Sequence, residues 1–262
     1  MFLLSGRNLI LFFATCLCML GVSSLQMPRM QKLLHSNKTV PVKTLQRELD
    51  LERTRLNLME KIPSFGYDNV IANFAYLWFL QYFGDDEVRS KTNYSLSPQY
   101  FEIILARDPR FITAYLGLST STSMYAAMPE YSIKLMEKGL KSLSPFAPTK
   151  SYYVWRYKGI DELLFLGQSL KARQSFEKTS EWASHHSDEE SKQATAISKK
   201  TAEFLSRNPN STYARIATWA MVLNNQVDDK TRQRAIREIQ ALGGDVTNNT
   251  DGTHKIKLPE KD

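Results

Sequence analysis

Apolar residues recur along most of this chain at the three-to-four-residue step of amphipathic helices. Over residues 44–61, Leu45, Leu49, Leu56 and Met59 share one side and Glu48, Glu52, Arg53 and Arg55 fill much of the rest, until Ile62-Pro63 ends the pattern. Residues 68–83 are apolar almost all round. Asp68 can cap this segment and Gly84 can end it. Its length, with Asn69, Asn73 and Gln81, excludes a membrane span and predicts a helix buried between neighbours. Residues 84–97 are polar and rich in turn formers. Beyond them the pattern predicts helices from Ser97-Pro98 to Asp108-Pro109, over 111–127, and from Pro129 to about Pro145. Further helices are predicted over 150–166, 168–186, 188–207, 211–225 and 228–242. Asp251-Gly252, between 245–247 and 253–257, predicts a small β-hairpin, with a frayed tail as the alternative.

Three prolines, Pro109, Pro145 and Pro209, each close a predicted helix, since proline lacks the N–H and restricts the residue before it. They lie about one and then about two lengths of a roughly 34-residue helix–turn–helix unit apart. Gly167, Ala172 and Phe176 keep the steps of a tetratricopeptide unit: a turn glycine, a small residue where helices approach, and an aromatic filling the wedge beside them. The expected fold is all-α, a right-handed stack of degenerate tetratricopeptide-like helix hairpins with a short C-terminal β-hairpin or tail. The repeats are degenerate because 84–97 is too long for a standard unit and Thr179 stands where a small alanine is usual. The expected organisation is a signal-anchor or signal peptide over 1–25, a basic linker over 26–43, a helical repeat domain over 44–243 and the hairpin or tail over 244–262.

Composition adds little to this. A 42% hydrophobic content allows a sizeable core, and the formal net charge of +7 is scattered rather than laid in one stripe with interleaved aromatics. Nucleic acid is therefore not an expected partner. The densest basic groups are Lys199-Lys200 and Arg232, Arg234 and Arg237. Both cysteines, Cys16 and Cys18, fall in the apolar N-terminal stretch, so the rest holds no disulfide framework or thiolate metal site.

Residues 8–25 are nearly all apolar or small. The expectation is a single N-terminal membrane pass with the bulk domain outside the cytoplasm. Cleavage, giving a secreted or periplasmic protein, and a cytoplasm-facing domain are the alternatives. Arg29, Lys32, Lys38 and Lys43 after the stretch favour the latter.

Candidate chemistry is sparse. His185 and His186, beside Asp188, Glu189 and Glu190, are adjacent and so point apart on a helix, whereas helical zinc sites use i and i+4 ligands. No metal or other cofactor is expected. Asp161-Glu162 offers carboxylates for an α/α-type hydrolase, yet Lys158 and Glu162 at i,i+4 read more simply as a surface pair. Asn69, Asn73 and Tyr76 recur at helical spacing on an apolar helix. They are either buried and paired or part of a polar stripe on a concave, partner-binding face. Tyr115, Arg156, Tyr157 and Asp161 would extend that stripe. Residues 119–123, Ser-Thr-Ser-Thr-Ser, fit tight helix packing.

Phe65-Gly66-Tyr67-Asp68-Asn69, the run from Trp78 to Gly84, Asp108-Pro109-Arg110-Phe111, Ala114-Tyr115 and Glu137-Lys138-Gly139-Leu140 resemble a family of uncharacterised bacterial proteins, common in cyanobacteria. The resemblance covers about residues 63–243. It implies a tetratricopeptide-type helical repeat behind an N-terminal membrane segment, and no reaction. The expected function is a membrane-tethered scaffold or assembly factor that is not an enzyme. It would bind protein through its concave face and meet the membrane through residues 8–25, with no small-molecule substrate evident. An α/α-type enzyme using acidic residues, or a structural subunit of a membrane complex, are the rivals.

Overall fold

The computed structural model of the protein describes residues 6–34, 41–207, 212–224, 227–248 and 254–260. Among the described residues it is 76% helical, with 12 α-helices, as the apolar periodicity predicts, and a two-stranded antiparallel sheet near the C-terminus. The chain divides into two compact units, Met1–Leu45 and Gln46–Asp262.

The first unit holds helix α1 (Gly6–Leu34), with Pro28 inside it. Part of the expected linker is therefore helical, while residues 35–40 of it lie outside the described residues. Phe12, Phe13, Leu17, Leu20 and Leu25 are exposed on α1. Among the described residues, no helix is long and apolar enough to cross a membrane. This overturns the expected single N-terminal pass. The mainly apolar stretch over residues 8–25 reaches only the short end of the length a span requires, and Gln26 and Gln31 follow it.

The second unit opens within α2 (Val42–Lys61), which places Leu49, Leu56 and Met59 in the largest apolar core. Helix α3 (Asp68–Phe83) adds Ala72, Ala75, Phe79 and Tyr82 to that core, and α5 (Ser97–Arg107) adds Tyr100, Phe101, Ile103 and Ile104. Arg107 straps the three together. It donates to Asp68 Oδ1 at 2.9 Å and to the carbonyls of Glu60 at 2.9 Å and Ile62 at 2.7 Å. That bond holds the Asp68 carboxyl below its usual range, helped by the Ser64 hydroxyl. Asp68 thus acts from inside the helix, and the capping position falls to Tyr67, which makes no side-chain cap.

Part of the stretch expected to be turns forms α4 (Asp86–Thr92), where Asp85 accepts from the Val88 amide at 3.2 Å. The Arg89 guanidinium lies 4.1 Å from the Tyr82 ring centre, so a charged residue supplies the buried face of this short helix.

Helix α6 (Ile112–Leu118) continues as a π-helix over Ser119–Tyr125, and α7 (Pro129–Leu140) returns against it. Helix α8 (Tyr152–Ile160) likewise widens into a π-helix over Asp161–Phe165, before the turn at Gly167, whose φ of 64° suits glycine. Helices α9 (Ser169–Ala183) and α10 (Glu189–Arg207) follow. Ala172 and Phe176 are buried on α9, and a Cβ on Gly159 of α8 would stand 3.2 Å from Ser175 Cβ, which places α8 and α9 in close approach.

Helices α11 (Thr212–Asn224) and α12 (Asp229–Ala241) pack with the hairpin of β1 (Asp245–Asn248) and β2 (His254–Lys257). Val246 pairs with Ile256, and both lie against a core of Ile216, Trp219 and Ile239. The strands stand close to the segments that the sequence assigns to a hairpin; the Asp251-Gly252 turn lies outside the described residues.

Gly139 shows how tightly α6 and α7 meet. A Cβ there would overlap the Tyr115 hydroxyl oxygen outright and lie 2.7 Å from Tyr115 Cζ. Tyr115 is wholly buried and donates to the Pro109 carbonyl at 2.7 Å, so it has nowhere to move. Gly139→Ala is expected to cost about 2 kcal/mol by overpacking. Adding Tyr115→Phe, which removes the clashing oxygen, should return part of that in urea unfolding; equal losses with and without the hydroxyl would contradict the contact.

Candidate functional site

The two π-helical segments face one another across a buried polar cluster. Asp161 opens one segment and is 0% exposed. Its Oδ1 accepts from the Ser119 hydroxyl at 2.7 Å, and its Oδ2 accepts from Ser123 at 2.5 Å and from Ser132 of α7 at 2.9 Å. Burial pushes this carboxyl up to about 6. The three hydroxyls oppose that rise and the neighbouring Glu162 adds to it.

Glu162, also wholly buried, turns the other way. It pairs with Lys158, which is 7% exposed, and its Oε2 accepts from Ser175 of α9 at 2.6 Å. Glu137 of α7 stands 3.6 Å from the same ammonium, and the Trp155 ring lies 5.6 Å from it. The expected surface pair is therefore an interior one. A carboxyl with a pKa near neutrality suits proton transfer, but Asp161 has no surface through which a substrate could reach it. What the cluster does physically is pin α6, α7, α8 and α9 in one arrangement. An i,i+4 Lys–Glu step gives no hint of burial; the serine-rich run before it, with hydroxyls to spend on an acid, was the available signal.

The residues expected to line one partner-binding stripe do not share a surface. Asp161 and Tyr115 are 0% exposed, which removes both. Burial also pushes the Tyr115 hydroxyl upward. Tyr76 is half-buried, with its ring 4.9 Å from that of Phe111. On α8, Tyr157 stacks on Tyr153 at 5.8 Å and the Arg156 guanidinium lies 5.8 Å from the same ring, so these three form a local ladder. Asn69 and Asn73, by contrast, are exposed. They sit beside Val70, Phe74, Leu77 and Leu80, which are 41%, 55%, 54% and 45% exposed. The three-to-four-residue spacing places these side chains along one side of α3. Helix α3 is thus covered on one side only, where the sequence predicted burial all round.

A second feature needs residues far apart in the chain. A cleft of about 480 Å³ is lined by Arg53 of α2, Ser95, Met128, and Lys230, Arg234 and Arg237 of α12. Arg234 forms its fixed wall, donating to the Ala127 carbonyl and to Glu130 Oε1, both at 2.6 Å, with Trp219 beneath it at 5.6 Å. Asp228, the acid in the lining, caps α12. It accepts from the Lys230 and Thr231 amides through Oδ1 and from the Thr231 hydroxyl through Oδ2.

Among the described residues, no group of three or more His, Cys, Asp or Glu could hold a metal ion. His186 Nε2 lies 2.8 Å from the Pro145 carbonyl and His185 packs on Phe146, so both join the end of α9 to the loop before α8. The chain matches no family model, no curated protein and no solved structure. Function must therefore be read from geometry.

Proposed function

We propose that the protein is a scaffold or assembly factor that binds another protein through its helical domain, and that its helix hairpins are a degenerate, tetratricopeptide-like stack. The stack is supported by the sequence-neighbouring pairs α8 with α9, α9 with α10 and α11 with α12, which pack directly on one another. The positive φ of Gly167 and the burial of Ala172 and Phe176 support the same reading.

The observation that carries the binding role is the uncovered side of α3. A run of large apolar side chains interleaved with amides is costly to leave in water and is what a protein partner covers. Phe65, at 85% exposed, and Tyr67, at 66%, stand just before the same helix. The enclosure of Asp161 speaks against an acid-based catalyst, because its carboxyl is spent on three serines.

The test is capture from a native lysate with the full chain as bait, alongside Phe74→Glu/Leu77→Glu. One reproducible partner, reduced roughly tenfold or more by the pair of substitutions while the melting temperature holds, is the expected result. Equal capture by both proteins would count against the α3 face.

A further inference from the structure

We propose that the cleft between α2 and α12 receives an acidic segment of the protein partner, its carboxylates meeting Lys230, Arg237 and Arg53; this rests on the scaffold reading above and gives the partner a chemistry. The charge balance is the reason. Of the four cations lining the cleft, Arg234 is neutralised by Glu130 at 2.6 Å and Glu238 at 3.6 Å. Arg53 is only loosely opposed by Asp50 at 3.9 Å, and both are exposed. The side chains of Lys230 and Arg237 are exposed and have no ion-pair or hydrogen-bond partner among the described residues. Asp228 cannot serve them, since both its oxygens are committed to the first turn of α12.

The cleft therefore holds like charges brought together from positions far apart in sequence, a costly arrangement unless an anion completes it. Arginine forks match carboxylate geometry. The cations are spread over two helices rather than gathered on one point, which suits several carboxylates on a chain more than one small anion. Met128 and Ala126 add apolar lining that peptide side chains can cover. No aromatic residue is in the lining, so the stacking platform that single-stranded nucleic acid uses is missing there.

The probe is a fluorescein-labelled peptide of alternating Glu and Ala, titrated with the full-length protein and followed by anisotropy. Inorganic phosphate and a DNA oligonucleotide serve as competitors. Expected are saturable binding that weakens with added salt and a loss of at least about tenfold in Lys230→Glu/Arg237→Glu. Lys199→Glu/Lys200→Glu, which changes the charge equally on α10, should leave affinity within about twofold. Equal weakening by both pairs would mean general attraction to a basic protein and overturn the proposal, as would an absence of peptide binding. Displacement of the peptide by the oligonucleotide or by phosphate at lower concentration than by unlabelled peptide would overturn it too, assigning the cleft to nucleic acid or to a small anion. The scaffold reading fails separately: capture that ignores Phe74→Glu/Leu77→Glu sinks the α3 face whatever the peptide does.

Discussion

Replacing Lys158 by Met is expected to destabilise the folded chain by about 3 to 5 kcal/mol, the cost of leaving a buried charge without its partner. Glu162 is wholly enclosed, and after the substitution its remaining neighbour is the Ser175 hydroxyl at 2.6 Å. Asp161 beside it adds further negative charge when ionised. Exposed pairs such as Arg173–Glu177 and Lys192–Glu189 are each held at 2.8 Å, yet water screens them, and breaking either should change stability by no more than about 1 kcal/mol. The double variant Lys158→Met/Glu162→Leu removes both charges and keeps much of the volume, so most of the single loss should return. Urea unfolding of wild type, both single variants and the double variant closes the cycle. Additive losses, with no recovery in the double variant, would show that the pair is not energetically coupled.

That interior pair also marks where reading from sequence stops. Helix ends were legible where a residue type has a single mechanical reason to be there. Pro98 and Pro129 stand in first turns, and Asp228 caps α12 through its side chain. The β-hairpin was legible for the same reason. Helix α4 was not, because its seven residues bury only Arg89 and Thr92, and no apolar periodicity announces a helix seated by a guanidinium on a tyrosine. The π-helical turns after Leu118 and Ile160 have no compositional signature, and they decide how Asp161 faces the serines. On α3 the error ran the other way. A helix apolar all round has no preferred buried side in its sequence, and neighbours alone determine that Phe79 is covered while Phe74 is not. Among the candidate site residues, Asn69 and Asn73 are exposed, a point that helical spacing alone leaves open between burial and a surface stripe. Asp161 and Tyr115 are enclosed instead, because polarity does not separate a buried, hydrogen-bonded side chain from an exposed one. The cleft has no signature in the sequence, because Arg53 and the basic residues of α12 are joined only by the fold.

The buried Asp161 carboxyl should make stability fall as pH rises from about 4 to about 7. In the unfolded chain this group titrates near its ordinary value of about 3.9; in the folded chain burial holds it at about 6. Below about pH 4 the carboxyl is protonated in both states and carries no penalty. Between those values the unfolded chain releases the proton while the folded chain keeps it, so the unfolded state gains. Above about 6 the folded chain carries a buried carboxylate, and the accumulated loss is about 3 kcal/mol, two pKa units at about 1.4 kcal/mol each. Asp68, Asp188 and Glu190, whose carboxyls are held below their usual range by Arg107, Ser191 and Lys150, act with the opposite sign, at the foot of this window and below it. In Asp161→Asn the amide offers an oxygen to two of the hydroxyls and an N–H₂ to the third, which can rotate to accept. The difference in unfolding free energy between wild type and Asp161→Asn should therefore shift by about 3 kcal/mol in the variant's favour from pH 4 to pH 7, with the acids common to both cancelling. Ser132→Ala, by removing one donor to Oδ2, should extend the descent to higher pH while its onset near pH 4 stays in place, since a hydroxyl that bonds the carboxylate lowers its folded-state pKa. A free-energy difference flat across that range would mean that water reaches Asp161, and the enclosed acid–serine cluster would have to be replaced by a solvated one.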